Sequence, residues 1–123
     1  MILGIGTDLT QISRIEAALH RSGERFAHQV LNGEELDRAP RPISASFLAK
    51  RWAAKEAAAK ALGTGIGAQA HFHDFTITND ALGAPQLTLS GQALKTAKCE
   101  GVWHLSLSDD GDFALAFVTW SKA

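Results

Sequence analysis

The 123 residues contain a single cysteine, Cys99. That excludes an intrachain disulfide and any cysteine-rich zinc site, and it points to a reducing compartment. Neither sign of charge is in excess: twelve Lys+Arg face thirteen Asp+Glu, for a formal net charge of -1. A bulk electrostatic drive towards nucleic acid or an anionic membrane is therefore missing, so neither partner is expected. Long apolar runs are missing too. The opening MILGIGTD has no basic region before it, and its apolar stretch stops at Asp8. This is too short for a signal peptide or a membrane span, and a cytoplasmic location is expected. There is no repeat, linker or low-complexity stretch. No nucleophile stands at a recognisable spacing from a base, so nothing advertises a covalent intermediate.

What is present is an ordinary globular composition, 46% hydrophobic and 20% charged, in a length that suits one domain over residues 1–123. Folding a chain of this size buries roughly two-thirds of its extended surface, which makes a thin core. Residues 1–7 read as a strand ending at Asp8. Ile12, Ile15 and Leu19 at helical spacing predict a helix over 9–22, with Asp8 or Thr10 as its cap and Gly23 as its break. Asn32 and Glu35 have capping-box spacing before a short helix that ends at Pro40 and Pro42. The longest periodic segment, 44–62, is rich in Ala, Lys and Glu, with Gly63 where a left-handed residue belongs. Residues 72–78 and 86–89 flank NDALGAP as a hairpin. Residues 90–100 form a helix capped by Ser90, and 102–108 and 113–120 are strands joined by DDGD. Helices grouped early and hairpins late predict an α+β fold with a mainly antiparallel sheet.

Several residues could carry chemistry. Glu56 lies about 40° from Trp52, 80° from Leu48 and 60° from Ala59 around the long helix, at the margin of an apolar stripe. A carboxylate there needs a cation or donors, whereas Lys60 four residues on also makes it a plain surface pair; both readings are open. Asp8 is either a cation ligand at a strand end or the cap of the next helix. Its glycines are not a dinucleotide-binding signature, since the third would fall at Leu9. Lys50, Arg51, Lys55 and Lys60 followed by GTGIG suit a phosphate-bearing ligand, or equally a solvated helix face. Arg14, Arg21 and Arg25 fall within about 40° of one another if one helix carries them, a basic ridge for an acidic partner or a bland surface. His71 and His73 would share one face of a strand, without a third ligand nearby. Cys99, late in a helix, reads as a small buried apolar residue.

Taken together, GIGTDLTQISRIE and FLAKRWAAKEAAAKALGTGIG resemble the holo-acyl-carrier-protein synthases, the short type of 4′-phosphopantetheinyl transferase. RFAHQVLNGEEL, the hairpin DFTITNDALGAPQLTL and the closing HLSLSDDGDFALAFV extend the resemblance nearly end to end. The resemblance implies that family's fold, a mainly antiparallel sheet packed on a long helix, in a single copy. It implies transfer of the phosphopantetheine arm of coenzyme A to a serine of apo-acyl carrier protein, releasing adenosine 3′,5′-bisphosphate. Asp8 and Glu56 would hold Mg²⁺, and Lys60 would join them in neutralising charge on the phosphates. Arg51 and Lys55, with Lys60 and the loop residues Gly63, Thr64, Gly65 and Ile66, would hold the nucleotide end of coenzyme A. Arg14, Arg21 and Arg25 would meet the acidic recognition helix of the carrier protein. The group that removes the serine proton stays open between Glu56, a metal-bound water and solvent.

One departure stands out. Many relatives carry Ser-x-Ser-His or Ser-x-Thr-His in the late strand, and here Asp109 follows Ser106-Leu107-Ser108. An ionised carboxylate cannot donate to a phosphate. Larger relatives hold two copies of the fold with the active site between them; a single copy leaves the site to be completed by a neighbouring subunit, and the resemblance to the short type implies a homotrimer with its sites at subunit interfaces.

Overall fold

Strand β1 (Ile2–Gln11) opens the chain and is followed by four helices, α1 (Ile12–Ser22), α2 (Glu24–Val30), α3 (Gly33–Arg38) and α4 (Ala45–Leu62). A 3-10 turn at Phe72–Asp74 leads into the hairpin β2 (Phe75–Asn79) and β3 (Pro85–Leu89); helix α5 (Gly91–Ala97) then precedes the hairpin β4 (Gly101–Asp110) and β5 (Phe113–Lys122). The computed structural model describes residues 1–99 and 101–123. Both sheets are antiparallel, one ordered β1-β5-β4 and the other β2-β3. This is the α+β architecture that the element order predicts.

Helix α4 lies at the centre because its side chains are small. Ser44 accepts the Phe47 N–H at 3.1 Å at one end, and Gly63, left-handed at φ 85°, donates to the Lys60 carbonyl at the other. Between these caps, ten of its eighteen residues are buried, seven of them alanine. Alanine adds little radius, so β1 and β5 pack on one side, α1 and α2 on another, and β2 and α5 on a third. Apolar burial in two adjoining clusters, one under the sheets and one under α1–α3, supplies the main favourable term in folding.

The N-terminal boundary differs from the sequence expectation. β1 runs on through Asp8, Leu9, Thr10 and Gln11, because β5 offers partners as far as Phe113. Helix α1 therefore starts at Ile12, and neither Asp8 nor Thr10 caps it. Its first turn is held from the far end of the chain: Asp112 accepts from Ser13 N at 2.9 Å and Ser13 Oγ at 2.7 Å, and its carbonyl accepts the Ile12 N–H. The Asn32/Glu35 capping box forms as expected. Helix α5 is shorter than predicted, and the expected end at Glu100 lies outside the described residues. Its cap is Asp74 rather than the Ser90 side chain, through the Ala93 N–H at 3.0 Å.

Among the described residues, nothing packs on the outer face of the three-stranded sheet. Leu9 stands opposite Leu115, Thr7 opposite Phe117 and Gln11 opposite Phe113, and Ile5, Leu9, Phe113, Leu115 and Phe117 are all exposed. Among the described residues, no helix is long and apolar enough to cross a membrane.

Candidate active site

The site begins with two glycines. Gly4 and Gly6 bring the β1 backbone onto α4 so closely that a Cβ on either would lie 1.9 Å from a carbonyl oxygen, of Ala61 and Ala57 respectively. Two residues beyond Gly6, Asp8 is thereby delivered to the helix turn that carries Glu56 and Lys60. All three side chains line one cavity of about 670 Å³. Asp8 is thus within a strand instead of at its end, and its carboxylate faces the cavity.

Lys60 donates to Asp8 Oδ1 at 3.2 Å and to the Thr7 carbonyl at 3.0 Å. Thr10 donates its hydroxyl to Asp8 Oδ2. The simple Glu56–Lys60 surface pair is not what forms, because Lys60 bonds across to β1. Glu56 has no hydrogen-bond partner among the described residues. Burial pushes its carboxyl above the usual range, the negative charge of Asp8 adds to this, and Lys60 opposes it. Two facing carboxylates with one ammonium leave uncompensated negative charge in a half-buried place. A divalent cation would relieve it.

The rest of the cavity combines an apolar wall with basic groups. Phe26, Trp52 and Phe72 form a tilted stack with centroids 5.8 and 4.7 Å apart; Phe26 and Trp52 line the cavity, together with Ile15 and Ala18. Arg14 and Arg21 line it as well. Arg25 is not brought with them, because Gly23 (φ 59°, ψ -143°) ends α1 and Arg25 belongs to α2. The shared ridge is therefore Arg14 and Arg21 only. Thr10 and Phe26 also line the cavity, a role that neither the cap position of Thr10 nor the residue type of Phe26 signals in the sequence.

The other predicted cofactor residues are placed differently. Lys55 is 0% exposed, with its ammonium 2.6 Å from Glu35 Oε1 and 2.6 Å from the Val30 carbonyl, so it is unavailable to a ligand. The solvated-face reading of the α4 cations fails for Lys55 and Arg51, which are buried, whereas Lys60 is exposed and Lys50 half-buried. Arg51 lines a separate cavity of about 330 Å³, with Glu35, Arg38, Phe47 and Asn79. In the loop, the Gly63, Thr64 and Gly65 N–H groups bond the last carbonyls of α4, at 2.9, 3.2 and 3.1 Å. A cradle of free amides is therefore not what this loop offers. Ile66 packs against the core, and none of the four residues lines the Asp8 cavity.

Asp109 is exposed and 3.6 Å from Lys50. Neither His71 nor His73 is on a strand: His71 flanks the start of the 3-10 turn and His73 lies within it, with its Nε2 2.6 Å from the His28 carbonyl. Among the described residues no cluster of three or more His, Cys, Asp or Glu is arranged for a metal. Cys99 is exposed and beyond α5, not buried within a helix.

A carboxylate pair with a lysine thus stands where a strand lies on a buried helix, beside a cavity with an apolar wall and two arginines. The sequence profile described as the 4′-phosphopantetheinyl transferase superfamily matches residues 4–118, and the chain belongs to that family. It is 53% identical over 122 residues, 96% of each chain, to the holo-[acyl-carrier-protein] synthase of Vibrio cholerae. It is 51% identical over 124 residues, 98% of each chain, to that of Aliivibrio salmonicida. The crystal structure of the holo-[acyl-carrier-protein] synthase from Neisseria meningitidis superposes with a TM-score of 0.86 at 41% identity, covering 99% of this chain and 100% of that one. That of the Bacillus anthracis synthase in complex with CoA (3′,5′-ADP) gives 0.85 at 36% identity, over 100% and 99%.

Proposed function

We propose that this chain is a holo-acyl-carrier-protein synthase, which moves 4′-phosphopantetheine from coenzyme A to a serine of an apo-acyl carrier protein. The observation that carries the reading is the convergence of Asp8, Glu56 and Lys60 on one cavity. In the reaction the serine oxygen forms a bond to the phosphorus that bears pantetheine. The bond from that phosphorus to the bridging oxygen breaks, and adenosine 3′,5′-bisphosphate leaves with the electron pair.

Asp8 and Glu56 fit Mg²⁺, an ion that keeps several waters and takes one or two carboxylates plus substrate phosphates. When bound, the ion supplies positive charge at the pyrophosphate. Lys60 carries an ammonium already fixed by Thr7 and Asp8, so little reorganisation is needed to oppose charge on the phosphates. Glu56, free of hydrogen bonds to other described residues, has a carboxylate oxygen available to orient or accept the serine proton, a role that a metal-bound water or solvent could equally fill. Arg14 and Arg21 beside Phe26 and Trp52 suit an acidic carrier helix that also presents an apolar side chain.

The proposal includes assembly and location. The apolar outer face of the β1-β5-β4 sheet supports a homotrimer. Arg51 opens into a different cavity from Asp8, so it would serve coenzyme A bound at a neighbouring copy. The loop Gly63–Ile66, just past Lys60, is left for the adenosine end through its surface. The cytoplasm, where coenzyme A and carrier proteins meet, is the proposed location. The test is D8A and E56A: each should abolish transfer while the circular dichroism and melting behaviour stay those of a folded protein. Full activity in either variant would remove the metal assignment.

A further inference from the structure

Glu35 and Arg51 line the second cavity and Lys55 lies behind it, bonded to Glu35; of these three buried charges the proposed function uses only Arg51. Glu35 is 3% exposed, Lys55 0% and Arg51 8%. Glu35 is held by three donors of the fold: Oε1 accepts from Lys55 at 2.6 Å and from the Asn32 N–H at 3.0 Å, and Oε2 accepts the Ile77 N–H at 3.0 Å. Arg51, one turn before Lys55 on α4, lines the same cavity as Glu35 yet makes no hydrogen bond to it. Its one side-chain bond goes to Asn79 Oδ1 at 3.2 Å, and its guanidinium lies 4.6 Å over the Phe47 ring.

A buried carboxylate beside a guanidinium ordinarily pairs with it, in the bidentate geometry that both groups favour. Here Lys55 occupies the carboxylate first. Glu35 and Asp74 both act on the Lys55 charge, and most of the five guanidinium N–H donors of Arg51 stay uncommitted. Burial lowers the Arg51 pKa and the Glu35 charge opposes this. A pair kept only for stability would not need to be ionic, since well-packed apolar residues often serve as well.

We infer that Lys55 is a positioning residue: by holding Glu35 it keeps Arg51 from being captured, leaving the guanidinium free for a phosphate of coenzyme A. The inference rests on the proposed use of Arg51 towards a cofactor on the neighbouring copy. Lys55 thereby acts on the cofactor without touching it.

The test compares R51Q, K55M, K55Q and K55M/E35Q, reading kcat and KM for coenzyme A in carrier-protein transfer, and binding of adenosine 3′,5′-bisphosphate by calorimetry. R51Q should raise KM by roughly tenfold or more, the loss of one hydrogen bond to a charged group. K55M should raise KM similarly, because Glu35 then turns to Arg51, with kcat changed less. K55M/E35Q should return KM to within roughly threefold of the starting protein, since a neutral glutamine does not quench Arg51. K55Q can still donate to Glu35 without neutralising it, and it answers the same question if K55M does not fold. If R51Q leaves KM unchanged, the use of Arg51 itself is wrong and the inference goes with it. If R51Q raises KM while K55M and K55Q lower only the melting temperature, Arg51 keeps its role and Lys55 is merely structural.

Discussion

Replacing Gly6 with alanine adds one methyl group at the point where β1 lies on α4. The new carbon would sit 1.9 Å from the Ala57 carbonyl oxygen and 2.9 Å from the Ala61 nitrogen, where real contacts essentially never fall below 3.0 Å. Both obstacles are backbone, so no side chain can swing aside, and strand and helix must part by about 1 Å. The 3.2 Å bond between Lys60 and Asp8 spans this junction and would stretch beyond hydrogen-bonding range. Overpacking of this kind costs about 1–3 kcal/mol, and a 1 Å misplacement of catalytic groups costs about 100-fold in rate. A melting curve and a transfer assay titrated with Mg²⁺ read the two effects separately. Gly33→Ala is the control: nothing lies within 4 Å of its Cβ position, and it should leave both unchanged or slightly improved. A Gly6→Ala protein with the original rate and Mg²⁺ midpoint would refute the claim that the glycines set the carboxylate geometry.

Three further outcomes follow from the same geometry. Lys60→Ala should lower the transfer rate by about 10²–10³-fold, as expected for loss of a preorganised charge, and a rate within a few-fold of the original would exclude that role. Leu115→Glu places a charge opposite Leu9 on the exposed sheet face; light scattering should show a single chain and the assay little transfer, whereas an unchanged assembly would free that face from the trimer. Asp112 is held below its ordinary value of 3.8 by its hydrogen bond from Ser13. A depressed carboxylate contributes stability that is present above the unfolded pKa and lost as pH falls through the folded one. Asp112→Asn should therefore melt lower near neutrality, with the gap closing on acidification below about pH 4; a pH-independent gap would contradict the cap.

Much of the scaffold is legible in the residues themselves. Ser44 and Gly63 bound α4 because caps are local chemistry, and Asn32 with Glu35 closes its box within four residues. The hairpins follow from their turn residues. What stays hidden is set by contacts distant in sequence. Nothing near Leu9 reveals that β5 extends the strand to Gln11, or that Asp112 caps a helix 99 residues away. Asp74 likewise takes the capping role that Ser90 is placed to fill by its position in the sequence. The site shows the same division. Asp8, Glu56 and Lys60 stand out by residue type and spacing, but their convergence depends on how closely Gly4 and Gly6 lie on α4. Lys55 misleads because a lysine on an alanine-rich helix looks solvated until Glu35, twenty residues earlier, is folded onto it.

The central claim is that this chain transfers phosphopantetheine with the aid of a metal held by Asp8 and Glu56. The most direct measurement is the intact mass of an apo-acyl carrier protein incubated with the protein, coenzyme A and Mg²⁺, alongside an EDTA control. The account predicts a gain of one phosphopantetheine arm per carrier, lost with EDTA. No gain across several carriers, from a folded protein that still binds coenzyme A, would contradict it.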